Sequence, residues 1–480
     1  MESIEKSNKQ PSRIAVRIIS GVILIAALGW FGWWCFTKEG VTPKSIAVAA
    51  LALGMLTVSL VIAVPAAVSF FSGAYVKEAQ PLGPRSGRKR FFRSSIRIVL
   101  ALLVSRLVLM ILAYAFARLF ANYTGSFIGS LRDIWVKLDT DAPHYFSIAE
   151  NWYTTEAPQM YTIVFLPLFP LMIRGLNYLF HDSFISAMVI NTLCSCAAAV
   201  VLFRLAMKDM GRRSSKAAVI FAFALPAAIF YIAPMSEALF LLLSASTLLL
   251  LRKKRFILAG IFGALACFTR SLGIIMILPF FAEAVRSIVL KVRSGEKKGR
   301  AWLVVRVIIS LLVFCTGTFG YLLINKLVWG EWFKFMEFQR DVWYQQLNPF
   351  FDTVALQTDE LFRSFGSDNT LALGLWLPNL LFIFGALAVL VFCARTLRAS
   401  YTLYFAAYLA VACGVSWLLS APRYLTALAV LPIALAHLCE GRDDGIGVTR
   451  SRAKTAIVFA ALFSGQIFYL LMYVLQYSIY

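Results

Sequence analysis

Two neighbouring stretches decide how this chain is read: KLDTDAPHYFSIAENWY, Lys137 to Tyr153, and YTIVFLPLFPLMIR, Tyr161 to Arg174. The first gathers paired carboxylates, a histidine and aromatics just after an apolar run. The second is apolar but broken by Pro167 and Pro170, each of which removes a helix hydrogen bond. Nearly everything around them is long apolar helix, so chemistry is expected in this polar interruption.

The rest of the composition sets the class. Of 480 residues, 60% are hydrophobic and only 15% are charged, against about 25% charged in soluble domains. Runs of roughly 20 apolar residues recur along the chain, the mark of a multi-spanning membrane protein. The net charge of +22 is carried in short clusters between these runs. That is the pattern of basic cytoplasmic loops rather than of a nucleic-acid surface. The eight cysteines fall mostly inside apolar runs and read as small buried hydrophobes. Cys194-x-Cys196 has no second pair to complete a zinc site.

Outward from the polar stretch, the chain predicts three parts. Residues 1–76 form a two-helix membrane appendage, with spans near Ile14–Phe36 and Ser45–Phe71. Residues 77–97, KEAQPLGPRSGRKRFFRSSIR, form a basic cytoplasmic linker whose Pro and Gly argue against a continuous helix. Residues 98–480 form the main body. Asn122 to Met160 is its first external loop, with Asp133, Asp139, Asp141, Glu150 and Glu156 against Arg132 and Lys137. Ile163–Phe180 is short for a span. Reading it as interfacial or re-entrant puts every later basic loop on the inner side. The expectation is an all-α polytopic protein of about 11–13 transmembrane helices. Several segments are short, with Pro, Gly and charge at their outer ends, as expected where helix ends line a cavity.

That topology places Asp139, Asp141, Glu237, Arg270 and Arg423 at one face. Asp141 or Asp139 is suited to act as a general base on a hydroxyl, or the pair is a solvated acidic turn. With His144, they are the set that would hold a divalent cation, Mg or Mn. His144 alternatively makes a structural hydrogen bond. Arg270, in CFTRSLG, and Arg423, in SAPRYLT, are costly at a membrane boundary, and their guanidiniums match phosphate oxygens. The alternative is snorkelling to the interface. Glu237, in PMSEALF, is a second acid or a helix N-terminal charge. The aromatics of the second long loop, Trp332, Phe333, Phe335, Phe338, Trp343 and Tyr344, form an interfacial belt or a wall for a sugar or lipid. No nucleotide-binding glycine motif is present. An external enzyme then needs a donor on its own side, which a lipid-linked donor supplies.

In order along the chain, DAPHYFSIAENWY, IVFLPLFPLMIR, PMSEALFLLLS, FILAGIFGALACFTRSLGIIMILPF, GEWFKFMEFQRDVWY and SAPRYLTALAVLPIALA resemble the PIG-V mannosyltransferases of GPI-anchor assembly and their bacterial relatives. The likeness runs from about Ile98 to the C-terminus. It implies a GT-C glycosyltransferase fold and transfer of a hexose, usually mannose, from a polyprenyl-phosphate donor to an acceptor hydroxyl. The family's catalytic Asp falls on Asp141. Thr140 stands where relatives usually have Trp, and Trp152 where they often have Gly. On this reading the transfer inverts, Asp141 is the base with Asp139 in reserve, and Arg423 and Arg270 hold the donor phosphate. His144, Tyr145, Glu237 and Trp343 contact the sugar or acceptor. The acceptor is a glycan, a glycolipid or a protein. A bacterial plasma membrane with an outward-facing site is the expected location, or the ER membrane with a luminal site in a eukaryote. The rival reading is a lipid or glycan transporter, or flippase, without catalysis.

Overall fold

The computed structural model describes residues 12–73, 86–137, 140–440, 445–477 and 479. Its helices run in order as α1 (Arg13–Thr37), α2 (Pro43–Phe71), α3 (Ser86–Phe120), α4 (Phe127–Trp135), α5 (Asp141–Asn151), α6 (Leu168–Phe180) and α7 (Ser183–Ala206). There follow α8 (Arg212–Ala224), α9 (Glu237–Arg252), α10 (Phe256–Cys267), α11 (Ile277–Arg293), α12 (Arg300–Trp329), α13 (Lys334–Asp341) and α14 (Phe350–Ser364). The last are α15 (Asn369–Leu371), α16 (Leu377–Cys393), α17 (Ala399–Ala412), α18 (Ala421–Thr426), α19 (Val430–Leu438) and α20 (Gly445–Val474). Among the described residues no strand forms, and one isolated bridge joins Leu347 to Val415.

The all-α membrane architecture is as expected. Among the described residues, eight helices are long and apolar enough to cross a bilayer, including α1, α2, α7 and α12. Lipid tails are as apolar as leucine, so one flank of a span can stay exposed to them while the other packs. α3 shows it: Leu102, Leu109, Ala113 and Ala117 are buried while Leu100, Val104 and Leu107 face outward. The remaining expected crossings fold as shorter helices, α8, α9, α10, α17 and α19, inside this frame. α6 begins where Leu168 N–H donates to the Phe268 carbonyl, two residues before Arg270. It ends at the turn into α7 and has 13 residues, as short as α8.

Small residues bring helices into backbone contact. α10 crosses α12 with Gly260 on the Ser310 carbonyl, Gly263 on the Phe314 ring and Gly317 on the Ala264 backbone. A Cβ at any of the three would overlap its neighbour. α2 packs along α14 and α16. Near the α1–α2 turn, Trp34 Nε1 and Lys38 Nζ donate to the buried Asp352 of α14 at 3.0 and 2.9 Å. Residues 77–85 of the basic linker lie outside the described residues. Residues 86–97 are helical and continue directly into the span of α3.

Candidate functional site

α5 carries the polar stretch. Asp141 sits in its first turn, where the helix dipole favours negative charge, and Pro143 costs little so near a helix start. Helical spacing then stacks Tyr145 one turn on from Asp141. Lys137 anchors the entry to α5, its Nζ donating to the Tyr473 carbonyl of α20 at 2.6 Å. At the other end, Trp152 closes α5 with φ +67° and ψ −168°, a conformation that glycine tolerates and side chains resist. The resemblance places Gly at this position, and the backbone supplies the reason. Arg174 steadies this end, donating from Nε to the Ala149 carbonyl at 2.6 Å and lying over the Trp152 ring.

Four charged groups predicted from separate motifs meet beside α5. Arg423, in α18, donates from Nη2 to Asp141 Oδ2 and from Nε to Glu237 Oε1. Arg270 donates from Nη1 to the same Glu237 oxygen and to Ser236 Oγ at 3.2 Å. Ser236 also shares a hydrogen bond with the Tyr145 hydroxyl at 3.0 Å. Two acids and two bases therefore balance. The cluster is graded in depth: the Glu237 side chain is 1% exposed, Arg423 5%, Arg270 12% and Asp141 27%. Asp141 is its open end, and Glu237 Oε2 is buried with no hydrogen-bond partner.

His144 and Trp343 adjoin the open end. The His144 ring stacks on Phe165 at 4.7 Å and meets the edge of Trp343 at 5.3 Å. The second long loop thus folds back over the first. Its aromatics divide: Phe338 and Trp343 pack inward, whereas Phe333 and Tyr344 face outward. Burial pushes the Asp141 carboxyl up, but Arg423, helped by Arg270 and His144, pulls it below the ordinary carboxylate value. Burial likewise lowers the His144 imidazole, an effect that Asp141 only partly offsets.

The loops bearing these groups are held by residues that the sequence motifs did not single out. Asn191 Nδ2 donates to the Met235 carbonyl at 3.0 Å and also to Ala233. Arg106 reaches the Tyr231 carbonyl at 2.8 Å. Asn379 accepts from Ala421 N–H at 2.9 Å and donates to the Leu418 carbonyl at 2.9 Å. Their signal in the sequence is faint: a lone amide or guanidinium inside an apolar run, where an unpaired polar group is costly. Asp139 lies outside the described residues. Among the described residues no group of three His, Cys, Asp or Glu side chains is placed to hold a metal ion. Asp141 and Glu237 are engaged by guanidiniums, and the His144 ring is packed among aromatics.

No curated protein matches the chain. Among solved structures, the crystal structure of ArnT from Cupriavidus metallidurans bound to undecaprenyl phosphate is similar at 12% identity and a TM-score of 0.36, over 79% of this chain and 76% of that one. The family model of mannosyltransferase (PIG-V) matches residues 89–341. That range takes in α5, Glu237 and Arg270 and more than half of the sequence, and the chain belongs to the mannosyltransferase (PIG-V) family.

Proposed function

We propose that this membrane glycosyltransferase moves a hexose, mannose by family, from a polyprenyl-phosphate donor to an acceptor hydroxyl on the outer face, with inversion at the anomeric carbon. The observation that carries this reading is the pairing of Asp141 with Arg423 at the open end of the charged cluster. A carboxylate and a guanidinium side by side suit the two ends of the reaction. Asp141 takes the proton of the attacking hydroxyl, and Arg423 with Arg270 receives the phosphate that leaves. Phosphate is a good leaving group, so positioning and charge stabilisation supply most of the acceleration.

The resting pair also sets an order of events. A carboxylate held low by Arg423 is ionised but a weak base. A donor phosphate competes for the same guanidinium. As Arg423 turns toward phosphate, burial raises the basicity of Asp141, so the base is strengthened when the donor is in place. Tyr145 and Ser236 hold the floor of the site, and His144 with Trp343 forms an aromatic wall suited to a sugar face. No step is routed through a metal ion.

The test uses the full chain in nanodiscs with radiolabelled polyprenyl-phosphate mannose, following release of polyprenyl phosphate. Release by wild type and not by Asp141→Asn supports the reading. Equal release by both removes Asp141 from the role of base. No release with any sugar of a lipid-phosphate panel, alongside movement of the intact lipid across the bilayer, favours the transporter.

A further inference from the structure

At the end of α9 remote from Glu237, a second charged site is built that the transfer reaction does not use. Fifteen residues separate Glu237 from Arg252 along one helix, a rise of about 22 Å. A cavity of ≈ 200 Å³ opens there, far above the roughly 30 Å³ that one water occupies in the liquid. Arg252, Lys253, Lys254, Arg286 and Arg398 line it, with Glu283 as the acid among them. They converge from α9, α11 and the turn before α17.

The arginines are held as parts of a preformed site. The Arg252 side chain is 2% exposed and pairs with Asp209. Arg398 is 7% exposed and grips Glu283 through Nε and Nη2 at 2.6 and 2.8 Å. Arg286 is 8% exposed, donates to the Phe70 carbonyl at 3.1 Å, and lies with Arg398 over the Phe70 ring. Lys253 and Lys254 are exposed at the rim. Burial first, then the fields of Arg204, Lys208 and Arg255, holds the Lys253 ammonium below its ordinary value. Among the described residues, five cations line the cavity against one lining acid, Glu283, so its lining is net positive.

We infer that this cavity binds a phosphate group at the membrane face opposite the carboxylate cluster. The rim lysines supply point charges without fixed geometry, over a floor whose guanidiniums hold Glu283 and Asp209 and add their positive field. Basic pockets between helices at a membrane surface capture lipid headgroups in this way. The shared chemistry is a phosphate monoanion or dianion, supplied either by an anionic lipid or by free phosphate.

The experiment measures the thermal unfolding midpoint of the full chain in neutral detergent, titrated separately with phosphatidylglycerol and with inorganic phosphate. A ligand of the folded state raises the midpoint, here by about 2 °C or more. The variants are Lys253→Gln with Lys254→Gln, and, as a matched charge control, Lys297→Gln with Lys298→Gln in the exposed turn before α12. The expected result is a rise in wild type and control that the rim variant loses. A response to lipid alone assigns the headgroup, a response to phosphate alone assigns the free ion, and a response to both assigns the group irrespective of source. No rise in wild type with either probe overturns the site. An equal rise in all three proteins also overturns it, since general surface charge then accounts for the effect.

Discussion

Arg423 bridges two carboxylates from distant parts of the chain, Asp141 through Nη2 and Glu237 through Nε. One guanidinium therefore couples the exposed acid to the buried one. Replacing Asp141 leaves Arg423 paired to Glu237, so the fold should survive while the proposed proton acceptor is lost. For Asp141→Asn, turnover is expected to fall by about 10²–10⁴, the contribution of a positioned general base. Polyprenyl phosphate release, measured well below the unfolding midpoint of each protein, checks it.

Lysine cannot replace Arg423, because one ammonium on a flexible stem does not span both acids. Arg423→Lys is expected to lose more than about tenfold in turnover. Arg423→Met removes one partner of a buried ion pair, which costs about 3–5 kcal/mol. Parallel activity and thermal unfolding measurements separate the two effects. A fully active Arg423→Lys enzyme would rule out a bidentate role.

Acid affects the two neighbours on α5 in different ranges. The Asp141 carboxyl is held below 3.8, so the stability of its pair is complete above that value and fades only as pH falls through the lower folded value. The His144 imidazole is held below 6.5. Its contribution is complete above 6.5 and is lost as pH falls from there toward the folded value. Stability of the wild type should decline below pH 6.5, and His144→Phe should flatten that part of the curve. Unfolding midpoints between about pH 2 and pH 8 test both signs.

The backbone at Trp152 predicts an unusual ranking. Trp152→Ala loses the ring and keeps the strained φ of +67°, whereas Trp152→Gly loses the ring and relieves the strain. The glycine variant should be the more stable of the two by about 1–3 kcal/mol. Unfolding of the pair in one detergent measures the difference, and an alanine variant as stable as glycine refutes the strain.

Close helix crossing predicts another contrast. Gly317→Ala places a methyl on the Ala264 backbone and should destabilise by about 1–3 kcal/mol. Gly385→Ala, with nothing within 4 Å of the new methyl, should be neutral or slightly stabilising. Thermal unfolding of both decides it.

Basic clusters between apolar runs let an alternation of helices be read, and that alternation grouped Asp141, Glu237, Arg270 and Arg423, which the structure brings into contact. Helix lengths were legible only for long runs. α8 stops at Ala224, and a short 3₁₀ turn, Pro226–Tyr231, carries the chain onward, so one apolar stretch became two elements. Contacts across long separations left no periodic trace. Nothing local ties Trp34 to Asp352, 318 residues apart, or marks Asn379 as the support of the turn before Arg423. The fold-back of Trp343 onto His144 was open because an interfacial aromatic and a site wall have the same composition.

The helices carrying the charged cluster are short. α9 has 16 residues and α10 has 12, about 24 and 18 Å of rise, against roughly 30 Å of hydrocarbon. On the proposed reading, helices this short set the floor of the site below the headgroups, with Trp343 packed against His144 beside Asp141. A donor whose tail stays dissolved in lipid can present its phosphate sideways at that depth, whereas bulk water must enter from above past the aromatics. Under the proposed reaction, that geometry would favour sugar transfer over wasteful hydrolysis and spare the donor until an acceptor displaces the remaining solvent.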